Sequence, residues 1–256
     1  MWNERLAMSR WLMGLGVMTG LMMPAYGAVF GGIDLGVTHD SNFIGAAGSV
    51  TPISDTMQSY SAYAGGYRPI EGGHGALVAT VNLRVNRLSR YTNLDNDVMG
   101  GAVGLYHELG IGSLLASVGG QDIRYSQANQ DFALYFARLR FKQGTAPIWV
   151  TENVEYDHAQ GQQAVNAYRG YSVWAALNGR PWSSGVLSLS ISRADDRYNV
   201  PVTPTRIAAI GTLAMLQQLG AGLYVRVSAS RERTVVPGGP SFDATLYAVG
   251  LGMTFG

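Results

Sequence analysis

The sequence predicts an all-β fold: a closed antiparallel transmembrane β-barrel of 12 strands in up-and-down order. Three observations predict it. Stretch after stretch alternates large apolar residues with small or polar ones, the period of two that sends successive side chains to opposite faces of a strand. The apolar face is bulky, while the other is too small and bland for a well-solvated surface, which suits a strand set between lipid and a lumen. Finally, short turns and longer loops alternate, as expected of an up-and-down barrel with both termini on one side. Composition agrees: 14% of the 256 residues are charged, against about 25% in a typical soluble domain. Cysteine is absent, which excludes disulfides and thiolate-held metals. The formal charge is +1 with no basic run, so nucleic acid is not an expected partner.

Two domains are expected: residues 1–27 as a secretory signal peptide and 28–256 as the barrel. Arg5 and Arg10 form a positive start, and Trp11 to Met23 an apolar run. Pro24 ends the run, and Ala25-Tyr26-Gly27 offers small residues for cleavage before Ala28. The run is shorter than the roughly 17–25 residues of a membrane-crossing helix and fits a signal peptide's apolar region. Removing it takes away Glu4, Arg5 and Arg10 and leaves a nearly neutral chain.

Strand one sets Ile33, Leu35 and Val37 against Asp34, Gly36 and Thr38, and a polar loop follows from about Asp40 to Thr56. Strand two lies near Met57 to Arg68, with a turn over Pro69 to Gly75. Strand three is the clearest: Leu77, Ala79, Val81, Leu83 and Val85 face one way, Val78, Thr80, Asn82, Arg84 and Asn86 the other. Strand four turns Met99, Val103 and Leu105 outward, and strand five runs from about Ile111 to Gln121. Strand six sets Ala133, Tyr135, Ala137, Leu139 and Phe141 outward against Arg138, Arg140 and Lys142. In strand seven, Ile148 to Tyr156, the outer face of Val150, Val154 and Tyr156 also carries Glu152. A lipid-facing carboxylate is costly, so either a bulge or a place near the rim is expected there. Strand eight has Tyr171, Val173, Ala175 and Leu177 outward and is expected to turn at Asn178-Gly179, a strong hairpin signal. Strand nine sets Leu187, Leu189 and Ile191 against Ser188, Ser190 and Ser192. Strand ten is Arg206 to Gln218, and strand eleven sets Leu223, Val225 and Val227 against Tyr224, Arg226 and Ser228. Aromatic girdles are expected from Tyr67, Phe141, Trp149, Trp182 and Tyr224 on the turn side, and from Tyr60, Tyr91, Tyr125, Tyr156 and Tyr168 on the loop side.

The closing strand, Asp243 to Gly256, has Tyr247, Val249, Leu251, Met253 and Phe255 on one face and mostly small residues on the other. It resembles the C-terminal strand of bacterial outer-membrane β-barrels, with Gly256 following the terminal aromatic. The resemblance implies a Gram-negative outer membrane, surrounding outer-membrane lipid, and barrel-assembly machinery during insertion.

Two groups of residues carry candidate function. Strand phase points Arg84, Arg138, Arg140, Lys142 and Arg226 inward, with Glu155 beside them. Fixed guanidinium groups in a narrow pore favour anions, so the main expectation is a porin-like channel for small solutes, with an anion preference and no cofactor. Alternatively, these groups pair with Glu155 and Asp157 and fill the interior. The second group is His39-Asp40-Ser41-Asn42, which resembles the corresponding segment of outer-membrane phospholipase A and of lipid A deacylases. That resemblance implies an acyl hydrolase with Ser41 as nucleophile, His39 as base and Asp55 as orienting group. Asp40-Ser41-Asn42 also resembles the first strand-loop of barrels in polysaccharide export and lipoprotein surface assembly, which implies an accessory role. His74, His107 and His158 are dispersed and predict no metal site.

Overall fold

The computed structural model describes residues 28–43, 52–70, 74–161, 167–198, 205–239 and 241–256. The expected signal peptide, 1–27, lies outside the described residues. The strands are β1 Ala28–Asp40, β2 Asp55–Pro69, β3 Gly75–Leu88, β4 Asn96–Leu109, β5 Gly112–Tyr125 and β6 Phe132–Thr145, followed by β7 Ile148–Gly161, β8 Tyr168–Trp182, β9 Gly185–Tyr198, β10 Arg206–Gly220, β11 Leu223–Val235 and β12 Ser241–Phe255. Each pairs antiparallel with its sequence neighbours, and β1 pairs with β12 from Gly31↔Phe255 to Asp40↔Leu246, which closes the barrel. Closure is physically required, because an open edge in hydrocarbon would leave a row of backbone groups unpaired.

The bulky face points outward. Val81 is 62% exposed, Leu187 40% and Leu251 42%, and the same face of every strand continues the belt. A continuous exposed apolar belt around a closed barrel is a lipid-facing surface. Glu152 belongs to this outer face, in unbroken register with Phe141 and Ala175. There is no bulge; the carboxylate lies one turn-side step into β7, near the rim, where Gln143 Nε2 donates to it at 3.5 Å.

Three sequence expectations are corrected. First, the strands run further toward the loops than the apolar alternation does: β5 reaches Tyr125, β7 Gly161, β9 Tyr198 and β11 Val235. Above the apolar belt the outward positions become charged, as at Arg193, Asp195 and Arg197, while the backbone ladder continues. Second, the β8–β9 hairpin does not turn at Asn178-Gly179. The register shifts between Gly179 and Trp182, and the chain turns at Ser183-Ser184. Asn178 points inward and donates to the carbonyls of Trp149 (3.4 Å) and Ala176 (3.3 Å). Third, the girdles are made of other aromatics. Tyr67, Tyr125 and Tyr168 are buried on the lumenal face, and Trp149 and Tyr224 share that phase. The exposed outer aromatics are Tyr60, Tyr156 and Trp182 from the expected set, together with Tyr135, Tyr171, Tyr247 and Phe255. The girdle expectation counted aromatics near strand ends without applying the period-two phase.

Candidate lumenal site

The inward faces divide the lumen into two chemically different halves. The turn-side half and the middle hold the basic residues. Arg84 on β3, Arg138, Arg140 and Lys142 on β6, and Arg226 on β11 all point inward, as expected. Asp34 on β1 and Glu155 on β7 oppose them there, and Glu108 keeps the same phase at the exposed turn end of β4. Arg138 is bridged to Glu155, with which it is in direct cross-strand register, and its guanidinium lies 4.8 Å from the Phe136 ring centroid. Lys142 Nζ sits 5.5 Å from the Trp149 ring centroid. Arg84 and Arg226 are four strands apart around the wall, with Asp34 on the strand midway between them and joined to Arg84 in register through Ser61.

Asp34 also accepts a hydrogen bond from the Tyr224 hydroxyl, joining residues 190 positions apart. Glycines make room for this contact. A Cβ at Gly252 would come within 2.5 Å of the Tyr224 ring and 2.6 Å of the Asp34 carboxylate. A Cβ at Gly32 would stand 2.7 Å from the Tyr63 hydroxyl. The small face of the closing strand thus acts as a floor on which Tyr63, Tyr224 and Asp34 lie flat.

The inward basic residues differ in how they are partnered. Arg138 is neutralised by Glu155. In contrast, the Arg84 Nη1 and Arg140 Nε atoms are shielded from water and have no hydrogen-bond partner among the described residues. A buried donor without an acceptor costs about 1–3 kcal/mol. These are the groups on this wall that gain most from an acceptor in the lumen.

The loop-side half is different, and sequence reasoning missed it. Its inward charges are mostly acidic: Asp40, Asp55, Asp157, Asp196 and Glu232, with Arg206 as the cation. Arg206 Nη2 donates to Glu232 at 3.4 Å and to Thr234 Oγ1 at 3.4 Å, and Thr234 donates to Glu232 at 2.8 Å. Beside this polar arc sits an apolar cluster inside the barrel: Met57, Leu88, Val98, Ile123, Tyr125, Phe132, Leu134, Ala159, Tyr168 and Tyr198. Phe43, beyond β1, and Leu94, from the 3-10 turn Thr92–Leu94, fold in to join it. Phe43 stacks on Tyr91 at a centroid distance of 5.4 Å. Together the arc and the cluster narrow the outer mouth. The signal for both was present, because extending each strand's inward phase beyond the apolar belt leads directly to these residues.

The His39 group is placed as follows. His39 faces outward, with Nδ1 3.1 Å from Thr56 Oγ1. Ser41 Oγ accepts from the backbone N–H of Thr245 at 2.9 Å. Asp55 is buried on the inward face, where its carboxylate accepts from the backbone N–H groups of Thr56 (2.6 Å), Arg90 (3.2 Å) and Tyr91 (3.1 Å). It thereby pins the loop after β3 to the start of β2. Since β1 and β2 register Asp40 opposite Asp55 and His39 opposite Thr56, successive inversion of side chains puts His39 and Asp55 on opposite faces of the wall. The structure does not bring the three residues together as a nucleophile, base and orienting group.

A closed barrel of 12 antiparallel strands with an apolar outer belt and a polar, partly plugged lumen defines a bacterial outer-membrane β-barrel. Compared by sequence, the chain matches no family model and no curated protein. By structure it is similar to an outer membrane channel from Pseudomonas putida, with TM-score 0.67 and 10% identity over 91% of this chain and 97% of that one. It is also similar to the translocator domain of the autotransporter NalP from Neisseria meningitidis, with TM-score 0.49 and 15% identity over 98% and 94%. A third similar structure is the outer membrane channel DcaP of Acinetobacter baumannii, with TM-score 0.48 and 8% identity over 92% and 99%. The likeness to the Pseudomonas putida channel is one of fold.

Proposed function

We propose that the barrel is a narrow porin-like channel whose turn-side half favours small anions. One observation carries this: the five inward cations of that half outnumber its inward carboxylates, Asp34, Glu155 and Glu108, and Arg84 and Arg140 keep buried donors without acceptors among the described residues. In a confined lumen of reduced dielectric, such fixed charge raises the local anion concentration. The acidic arc and apolar cluster at the loop-side mouth act as the limiting constriction, so unit conductance is small. Planar-bilayer recording in a KCl gradient tests the reading. The expected reversal potential has the sign for chloride, and moves toward zero when Arg84, Arg140 and Arg226 are replaced by Gln. Cation preference in the wild-type barrel overturns the proposal, as does a reversal potential unchanged by all three replacements.

A further inference from the structure

The loop-side rim of the outer wall carries a basic patch confined to one sector. Arg169 on β8, Arg193 and Arg197 on β9, and Arg231 and Arg233 on β11 all face outward and are exposed. Two carboxylates share this face: Asp195 engages Arg193 through Nε and Nη2 at 3.0 and 3.2 Å, which leaves Nη1 available, and Asp243 on β12 is directly opposite Arg233. The other four form no ion pair among the described residues. Elsewhere on the rim the outward arginines are neutralised locally, Arg87 by Asp97 and Arg124 by Asp122.

Two features of the patch favour an outside anion. Arg169 and Arg197 are directly opposite in the β8–β9 register, and the next strand sets His158 opposite Arg169. Like charges directly opposed across strands are destabilising. Second, Arg193 and Arg233 flank Ala209, one from each neighbouring strand, and Arg231 stands beside Gly211. Arg193 and Arg233 are therefore separated by two strand spacings, roughly 9.5 Å, and Arg231 and Arg233 by roughly 7 Å along β11. The floor between them is an alanine and a glycine with open space above it. Five arginines against Asp195 and Asp243 leave the sector net positive, and Arg231, with the free Nη1 of Arg193 and the Arg233 guanidinium, can lean over this shallow floor toward one doubly charged group. Directly below, toward the turns, the surface is apolar, with Ile191, Leu213 and Val227 exposed.

We propose that this sector binds a phosphorylated glycolipid of the outer leaflet, its phosphates on the arginines and its acyl chains along the apolar belt below. The loop side is the outer face of such a barrel, and the outer leaflet there is built of lipid A, whose diglucosamine head carries phosphate at both ends. Arginine matches phosphate through its fork of N–H donors. A head of that width suits a patch running from the Arg169–Arg197 pair to the Arg231–Arg233 pair, where two phosphates are held at once. The proposal rests on the membrane-spanning surface and not on conduction, so the two fail separately.

The test is native mass spectrometry of the folded chain in neutral detergent, titrated with diphosphoryl lipid A and with its fully dephosphorylated counterpart. The wild type is expected to retain the diphosphoryl form at least about tenfold more strongly, since a hydrogen bond to a charged group is worth roughly that factor or more. Arg231→Gln/Arg233→Gln and Arg169→Gln/Arg197→Gln should each lose about tenfold, and Arg87→Gln should lose nothing. Resistance to SDS before heating checks that each variant is folded. For the wild type alone, retention should fall as salt rises. Equal retention of the two lipids, no loss in either double variant, or a salt-independent affinity overturns the proposal. So does a dimer that needs these arginines and forms without lipid, which would make the patch a contact between copies of the chain.

Discussion

Phe43→Ala should open the outer mouth. Phe43 lies just beyond β1, buried at 7% exposure, with its ring on Tyr91 and its edge in the lumenal apolar cluster. The chain is held on either side of it independently of the ring. Ser41 bonds Thr245, Asn42 Nδ2 donates to the Asp243 carbonyl at 2.9 Å, and the Phe43 N–H donates to the Ile53 carbonyl at 2.8 Å. Truncation therefore removes the wedge without releasing the strand end. A buried Phe→Ala change costs about 3–5 kcal/mol when the site cannot collapse. At about 1.4 kcal/mol per tenfold, that shifts the balance between docked and undocked mouth by roughly two to three and a half orders of magnitude. Single-channel recording reads this as a larger unit conductance or a longer open time, with ion preference unchanged because the basic half of the lumen is untouched. An unchanged conductance and open time would show that the constriction lies elsewhere, and the assignment of the loop-side cluster as the limiting element would be wrong.

Three further outcomes follow from the packing. Gly252→Ala drives a methyl into the Tyr224 ring and the Asp34 carboxylate, so the folded barrel should lose about 1–3 kcal/mol, read as a lower urea midpoint; full wild-type stability would mean that Tyr224 does not lie on that strand. Val81→Arg places a charge near the middle of the lipid-facing belt, where about 2–4 kcal/mol is lost, while Thr80→Asn one residue away on the lumenal face should be nearly neutral; similar losses at both positions would contradict the assignment of faces. Ser41→Ala should leave the acylation of outer-membrane lipids unchanged and cost about 1 kcal/mol for the lost Thr245 bond; a changed lipid acyl pattern in cells making the variant would restore the hydrolase expectation that His39, Ser41 and Asp55 suggest by sequence.

What the amino-acid sequence determined on its own is the wall. Strand number, the outward set from Ile33 to Phe255, and the sides on which turns and loops lie are all local signals. A period of two needs only neighbouring residues to be visible, and lipid reinforces it on every strand. The sequence also identified which basic residues point inward, because Arg84, Arg138, Arg140 and Arg226 keep phase with an apolar partner face. Strand ends were less legible, since the backbone ladder outlasts the apolar belt and Arg193 to Arg197 alternate in charge and not in hydropathy.

Only the tertiary structure decided what meets what across the lumen and around the wall. The closure of the barrel brings Tyr224 onto Asp34, a partner separated from it by most of the chain. It gathers single inward residues from β2 to β9 into one apolar cluster at the mouth. It also inverts His39 and Asp55 to opposite faces, and collects the outward arginines of β8, β9 and β11 into one sector. The physical reason is common to all of these: alternation specifies the face a residue occupies, whereas register and closure specify its height and its neighbours, and chemistry depends on the latter.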